Sequence, residues 1–151
     1  MTDLNATTDD TNDEFTISAW IKTTNTTNFR GIVNFSQNCG SYVCVDGGFS
    51  IQSNGGNAGN CPPNTQINDG NWHHVVVTYI EGQGYIGFKD GLQVFNVTNS
   101  NTEGDQTRNA YIGTRNNNDF FDGSIDDIYI YDRSLSVSEV QALYNLSGVP
   151  H

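Results

Sequence analysis

FFDGSIDDIYIYDRSLSVSEVQALY, residues 120–144, is the stretch whose reading decides the fold. Within it, residues 125–132 (IDDIYIYD) are dominated by β-branched and aromatic side chains and read as a strand. Strict alternation puts Asp126, Ile128 and Ile130 on one face and Ile125, Asp127, Tyr129 and Tyr131 on the other. One of two adjacent aspartates is therefore expected to share a face with two isoleucines, where an unpaired carboxylate is costly and needs a partner. Ser136-Val137-Ser138-Glu139 then matches a capping box, with Leu135 and Val140 placed for a hydrophobic staple. The stretch predicts a strand bearing an awkward acid, then one short helix.

Upstream, strand signals recur at short intervals. Residues 15–22 (FTISAWIK) alternate, with Phe15, Ile17, Ala19 and Ile21 on one face and Trp20 an aromatic exception on the polar face. Trp20 there suits either a stacking platform for a sugar ring or packing against a neighbouring segment. Residues 30–36 and 49–53 read as strands, residues 37–48 and 54–66 as loops, and Asn68-Asp69-Gly70-Asn71 as a turn. That turn launches WHHVVVTYI at 72–80, apolar on both faces and hence expected to be central and covered on both sides. GYIGFK at 84–89 and LQVFNVT at 92–98 flank Asp90-Gly91, a two-residue hairpin signal. AYIGT at 110–114 is a short strand and 115–119 a polar turn. About eight short strands joined by hairpin-length turns predict an all-β, two-sheet antiparallel sandwich with one short C-terminal helix. Residues 1–14 form a polar lead, and residues 15–151 the domain.

The 151 residues carry a formal net charge of −11, from 17 acidic and 6 basic side chains. Such a surface is a poor partner for nucleic acid or an anionic membrane, since phosphate binding needs clustered Lys and Arg. No apolar run is long enough for a membrane-spanning helix, and no membrane insertion is expected. Cys39, Cys44 and Cys61 fit no zinc spacing; one disulfide plus one free thiol is the expectation, and three thiols the alternative.

Taken in order, FTISAWIK, NDGNWHHVVVTY, the KDG hairpin, AYIGT and FFDGSIDDIYIYDRSLSVSEVQALY resemble the laminin-G-like, concanavalin A-like jelly roll, in its pentraxin-related branch. The resemblance covers residues 15–144 and implies two packed antiparallel sheets, frequent structural calcium and a role in carbohydrate binding or adhesion. Two departures stand out. Only fourteen polar residues precede the first strand, where relatives carry a further strand, and Lys89 stands before the Asp-Gly turn, where they carry an apolar residue.

Calcium takes six to eight oxygens. Asp126 is the expected anchor, with Asp122, Asp127, Asn118 or the acidic lead Asp9, Asp10 and Asp13 as further ligands; hydrogen bonds to Asp126 from backbone or from Trp72 or His74 are the alternative. His73 and His74 fall on opposite faces of one strand, which argues against their sharing a zinc ion. Glycosidases need two carboxylates flanking one bond. None of Glu14, Glu81, Glu103 and Glu139 is paired that way, and there is no nucleophile elbow, so no enzyme is expected. Sugar binding needs aromatic faces and hydroxyl-pairing polar groups. The candidates are Trp20, Tyr42, Arg115, Asn116, Asp119 and Phe120. The expected role is a carbohydrate-binding or adhesion module of an extracellular or cell-surface protein, secreted as part of a larger chain. Its partner is a glycan, a polysaccharide or an extracellular protein. A structural or protein-interaction domain is the alternative, and a polysaccharide hydrolase or lyase a third.

Overall fold

The computed structural model describes residues 14–26, 30–35, 39–43, 47–53, 56–57, 64–98, 110–115 and 119–147. In chain order its elements are β1 (Glu14–Lys22), β2 (Arg30–Phe35), β3 (Cys39–Val43), β4 (Phe49–Ser53), β5 (Gly56–Asn57), β6 (Trp72–Ile80), β7 (Gly84–Lys89), β8 (Leu92–Thr98), β9 (Ala110–Ile112), β10 (Thr114–Arg115), β11 (Asp119–Phe120), β12 (Ser124–Tyr131) and α1 (Val137–Ser147). One sheet has the order β12-β1-β6-β7-β8 and the other β5-β4-β3-β2-β9; β10 and β11 form a separate hairpin. Every pairing is antiparallel, as a jelly-roll sandwich requires. Among these residues no helix is long and apolar enough to cross a membrane.

The alternation of β1 sets the core. Ile17, Ala19 and Ile21 point inward and meet Ile32, Val33, Phe49 and Ile51 of the facing sheet. β6 lies between β1 and β7 and is buried on both faces, as its sequence predicts. Its Val75, Val77 and Tyr79 join the inter-sheet core. Its Val76 points outward into a second core with Phe88, Leu135 and Val140. A helix that seals the end of the sandwich would leave those outward residues wet. Instead α1 lies across the outer face of the sheet, with Val140 and Leu143 packed in that second core and Tyr144 against Trp20.

The helix starts where its capping box says. Ser136 N–H donates to Glu139 Oε2 at 2.8 Å, and the Ser136 hydroxyl accepts the Glu139 N–H at 3.4 Å. Arg133 grips the same carboxylate with two nitrogens, at 2.6 and 3.2 Å. Arg133 first, then Ser136, hold Glu139 down to about 2. Asp90 and Gly91 both take positive φ, 51° and 77°, the geometry of a tight two-residue hairpin.

Two expectations fail for identifiable reasons. Residues 39–43 are a strand, not a loop: CGSYV has little apolar alternation, but β2 and β4 pair with it on either side. The parity of β12 also breaks. Ser18 pairs with Tyr129 but Trp20 pairs with Asp126, so three residues on β12 oppose two on β1. Asp127 sits at this bulge with φ +46°. The extra residue lets Ile125, Ile128 and Ile130 all face the core, and turns Asp126 outward, exposed, beside Trp20. Asp126 does not share a face with the isoleucines.

Candidate functional site

Among the described residues, exposed aromatic rings stand on the short run from β9 to β11, at Tyr111 and Phe120, and on β12 at Tyr129. Gly113 takes φ +71° and kinks the chain between β9 and β10. Its N–H donates to Ile32 O, and its own carbonyl accepts the Phe121 N–H, both at 2.8 Å, so the β10–β11 hairpin is bracketed at its base. Asn34 Nδ2 donates to Thr114 O at 2.8 Å and pins β10 across β2. The approach is close enough to require Gly31, where a Cβ would lie 2.4 Å from the Thr114 carbonyl. Phe121 turns back against the core.

This anchoring leaves Phe120 59 %, Ile112 56 % and Tyr111 39 % exposed. Phe120 pairs with Thr114, and Asp119 with Arg115. Below the hairpin, Thr23 Oγ1 donates to Asp122 O at 2.6 Å, and Asn25 Nδ2 to the Asp122 carboxylate at 3.2 Å. The result is an exposed apolar edge, a ridge, on which the consecutive Tyr111 and Ile112 point to opposite sides of β9 and Phe120 stands on the adjoining hairpin, with Asp119 and Asp122 beside it. Flat apolar rings flanked by hydrogen-bonding groups are what a sugar ring stacks on.

The sequence candidates divide. Asp119 and Phe120 lie on this ridge. Arg115 and Tyr42 have their backbones in β10 and β3, with side chains outside the described set, as are Asn116 and Asn118. Trp20 is corrected: it is 2 % exposed, beneath α1, with its ring 5.8 Å from Tyr144 and 5.3 Å from His74. No sugar reaches it. Its place on the polar face of FTISAWIK meant a second core, not a platform. Tyr111 and Ile112 went unnoticed in the sequence. AYIGT looks like any buried strand, and only its edge position exposes it.

The expected calcium ligands do not gather. Asp126 is exposed, and its Oδ1 accepts the neighbouring Asp127 N–H at 2.9 Å. Asp122 is engaged by Asn25. Among the described residues no group of three or more His, Cys, Asp or Glu could hold a metal ion. Asn118, the acidic lead Asp9, Asp10 and Asp13, and the cysteine pairing involving Cys44 and Cys61 lie outside the described residues.

The two histidines do occupy opposite faces, paired with Ile21 and Trp20 respectively. Ser18 Oγ stands 2.8 Å from His74 Nε2, a nucleophile–base distance. Both are buried beneath α1, and burial depresses His74 to about 4, so the ring is neutral. The contact ties β1 to β6 beneath α1. His73 has a carboxylate at each ring nitrogen: Asp90 Oδ2 at 2.8 Å from Nδ1 and Asp69 Oδ1 at 3.1 Å from Nε2. The acids sit at opposite ends of the imidazole and cannot converge on one ion. The signals were an Asp four residues before His73 and an Asp in the following hairpin turn, neither of which says on its own that they meet.

The Laminin_G_3 family profile, described as the concanavalin A-like lectin/glucanases superfamily, matches residues 2–141. No curated protein matches. Domain 4 of AbnA, a GH43 extracellular arabinanase from Geobacillus stearothermophilus solved with arabinotriose, superimposes with TM-score 0.70 at 19 % identity, covering 89 % of this chain and 68 % of that one. A Trypanosoma rangeli sialidase gives 0.65 at 16 % identity, covering 90 % of this chain but 23 % of its own. The binding domain of Paraclostridial Mosquitocidal Protein 1 gives 0.58 at 21 %, covering 88 % and 37 %. At these identities the likeness establishes the fold, and this chain spans well under half of the latter two proteins.

Proposed function

This chain belongs to the concanavalin A-like lectin/glucanases superfamily, and from that premise we propose that it is a non-enzymatic carbohydrate-binding module of an extracellular or cell-surface protein. Its glycan rests on the β9–β11 ridge, against the exposed rings of Tyr111 and Phe120. The observation that carries the reading is the exposure of two aromatic rings, Tyr111 on β9 and Phe120 on the adjoining hairpin, whose backbone is pinned by Asn34 and Gly113. The relative solved with arabinotriose supports the same reading.

The ligand is an uncharged sugar. The chain carries −11 overall, with Asp119 and Asp122 beside the ridge, and a uronate or sialate would approach against that field. The non-enzymatic part is supported by the fate of the described acids. Glu139 is committed to the helix cap, and Glu14 accepts the Ser134 N–H at 3.1 Å. A second reading, docking of an extracellular protein, is favoured by Ile112 alone, since an aliphatic side chain contributes little to a sugar face.

The test is retention on insoluble or immobilised neutral polysaccharides, arabinan among them, for the wild-type chain and for Phe120→Ala. Retention by wild type and its loss in the variant supports the reading; equal retention of both, or none by wild type, overturns it. Release of reducing ends or of unsaturated products would overturn the non-enzymatic part.

A further inference from the structure

Residues 64–71 cross from one sheet to the other at one end of the sandwich. Thr65 O accepts the Phe49 N–H at 3.0 Å, and Ile67 N–H donates to Gly47 O at 2.8 Å. Ile67 is fully buried in the inter-sheet core. Lys89 Nζ donates to Gln66 O at 2.7 Å. This first half of the segment is anchored by burial. The second half is not. Asp69 is exposed, and the turn is held down by Gly70 N–H on Thr23 O at 3.0 Å and by the Asp69 carboxylate on His73.

We propose that this segment is a proton-operated strap, in which the His73 imidazolium pins the Asp69–Asn71 turn to the sandwich and releases it as the pH rises. The argument is one of donors. Both ring nitrogens face carboxylate oxygens, and only the doubly protonated ring can donate to both. When one proton leaves, one contact must go. Asp90 is half-buried; its Oδ1 accepts the His74 N–H at 2.9 Å, and its Oδ2 depends on His73 Nδ1. Asp69 faces water and already satisfies its Oδ1 with the Asn71 N–H at 2.8 Å. The remaining proton therefore stays on Nδ1. Nε2 becomes a lone pair facing a carboxylate, and the Asp69 end lets go.

The charged groups around His73 agree. Asp90 on the β7–β8 turn and Asp69 on the strap both favour the charged ring. Lys89, on β7, acts on Asp90 and is tied to Gln66 O. His74 points to the other face and is neutral. The Asp90 hydrogen bond raises His73 above its ordinary 6.5, partly offset by burial. Asp69 is held at about 2, first by the Asn71 N–H, so it remains charged throughout the range. The sign follows: the pinned form is fully present below 6.5 and is lost as pH rises through the elevated value.

The experiment is NMR titration of the His73 ring together with amide exchange at Gly70 and Ile67, corrected for intrinsic base catalysis, in the wild-type chain, Asp69→Asn and His73→Gln. The expected result is a ring midpoint above 6.5 and loss of Gly70 protection with the same midpoint, by up to about tenfold per pH unit for one linked proton, while Ile67 stays protected. Asp69→Asn, at an exposed position that leaves the core intact, lowers the midpoint and removes the pH dependence at Gly70; His73→Gln, which has no ring to titrate, removes that pH dependence too. A midpoint at or below 6.5, Gly70 protection constant through the titration, or an unchanged pH dependence in Asp69→Asn would overturn the proposal.

Discussion

Replacing Trp20 by alanine is expected to damage the fold and leave the glycan site untouched. The indole is 2 % exposed, between the outer face of the β1 sheet and α1, within stacking distance of Tyr144 and His74. A buried aromatic of this size removes roughly 150–250 Å² from water, worth about 4–6 kcal/mol at ~25 cal/mol per Å². Partial collapse of the helix onto the gap brings the expected loss to about 3–5 kcal/mol. For a chain of this length that lowers the melting temperature by roughly 6–20 °C. Trp20→Phe should lose less than half as much. The assay is urea unfolding followed by circular dichroism, since the variant removes a fluorophore, with polysaccharide retention measured below the unfolding transition. A double-mutant cycle with Tyr144→Ala should show coupling of about 0.5–1.5 kcal/mol. Stability within 1 kcal/mol of wild type combined with lost retention would refute the reasoning and restore Trp20 as a sugar platform.

Gly123→Ala should destabilise by about 2 kcal/mol or more, because its Cβ would meet Lys22 O at 2.2 Å and a backbone atom cannot step aside; differential scanning calorimetry checks it. Acid should also destabilise the chain through His74. Its folded value, about 4, lies below its ordinary 6.5, so the unfolded state binds the proton first and stability falls as pH drops from 6.5 towards 4, by on the order of 3 kcal/mol. His74→Gln should flatten that limb of a urea-midpoint-versus-pH curve, while the alkaline limb above 6.5 belongs to His73.

Much of the fold was legible because its strands are locally self-consistent. FTISAWIK, WHHVVVTYI and the Asp90-Gly91 hairpin carry period-two patterning and turn chemistry that tertiary structure had only to accept, and the capping box at Ser136 located α1 to within a residue. What was illegible depended on partners. CGSYV becomes a strand because two neighbours bond to it. The β12 bulge at Asp127 depends on register with β1, and a single inserted residue moved Asp126 from an expected buried anchor to solvent. The site was half legible for the same reason. Phe120 announced itself by standing in a polar context, while Tyr111 and Ile112 are exposed only because β9 is the edge of its sheet. Trp20 misled because an aromatic on a polar face has the same pattern whether a ligand or a helix covers it.

The central claim is that the β9–β11 ridge binds an uncharged glycan. Affinity electrophoresis of the wild-type chain, Phe120→Ala and Tyr111→Ala through gels containing neutral or uronate polysaccharides tests it most directly. Phe120 is 59 % exposed and Tyr111 39 %, so Phe120→Ala should cost about 1 kcal/mol or less and Tyr111→Ala about 1–2 kcal/mol, and retardation is read under conditions where both variants stay folded. The account predicts retardation of wild type by at least one neutral polysaccharide, loss of most of it in either variant, and weaker retardation by uronates at low salt. Wild-type retardation that survives both substitutions, or that is strongest with the uronate, would contradict it.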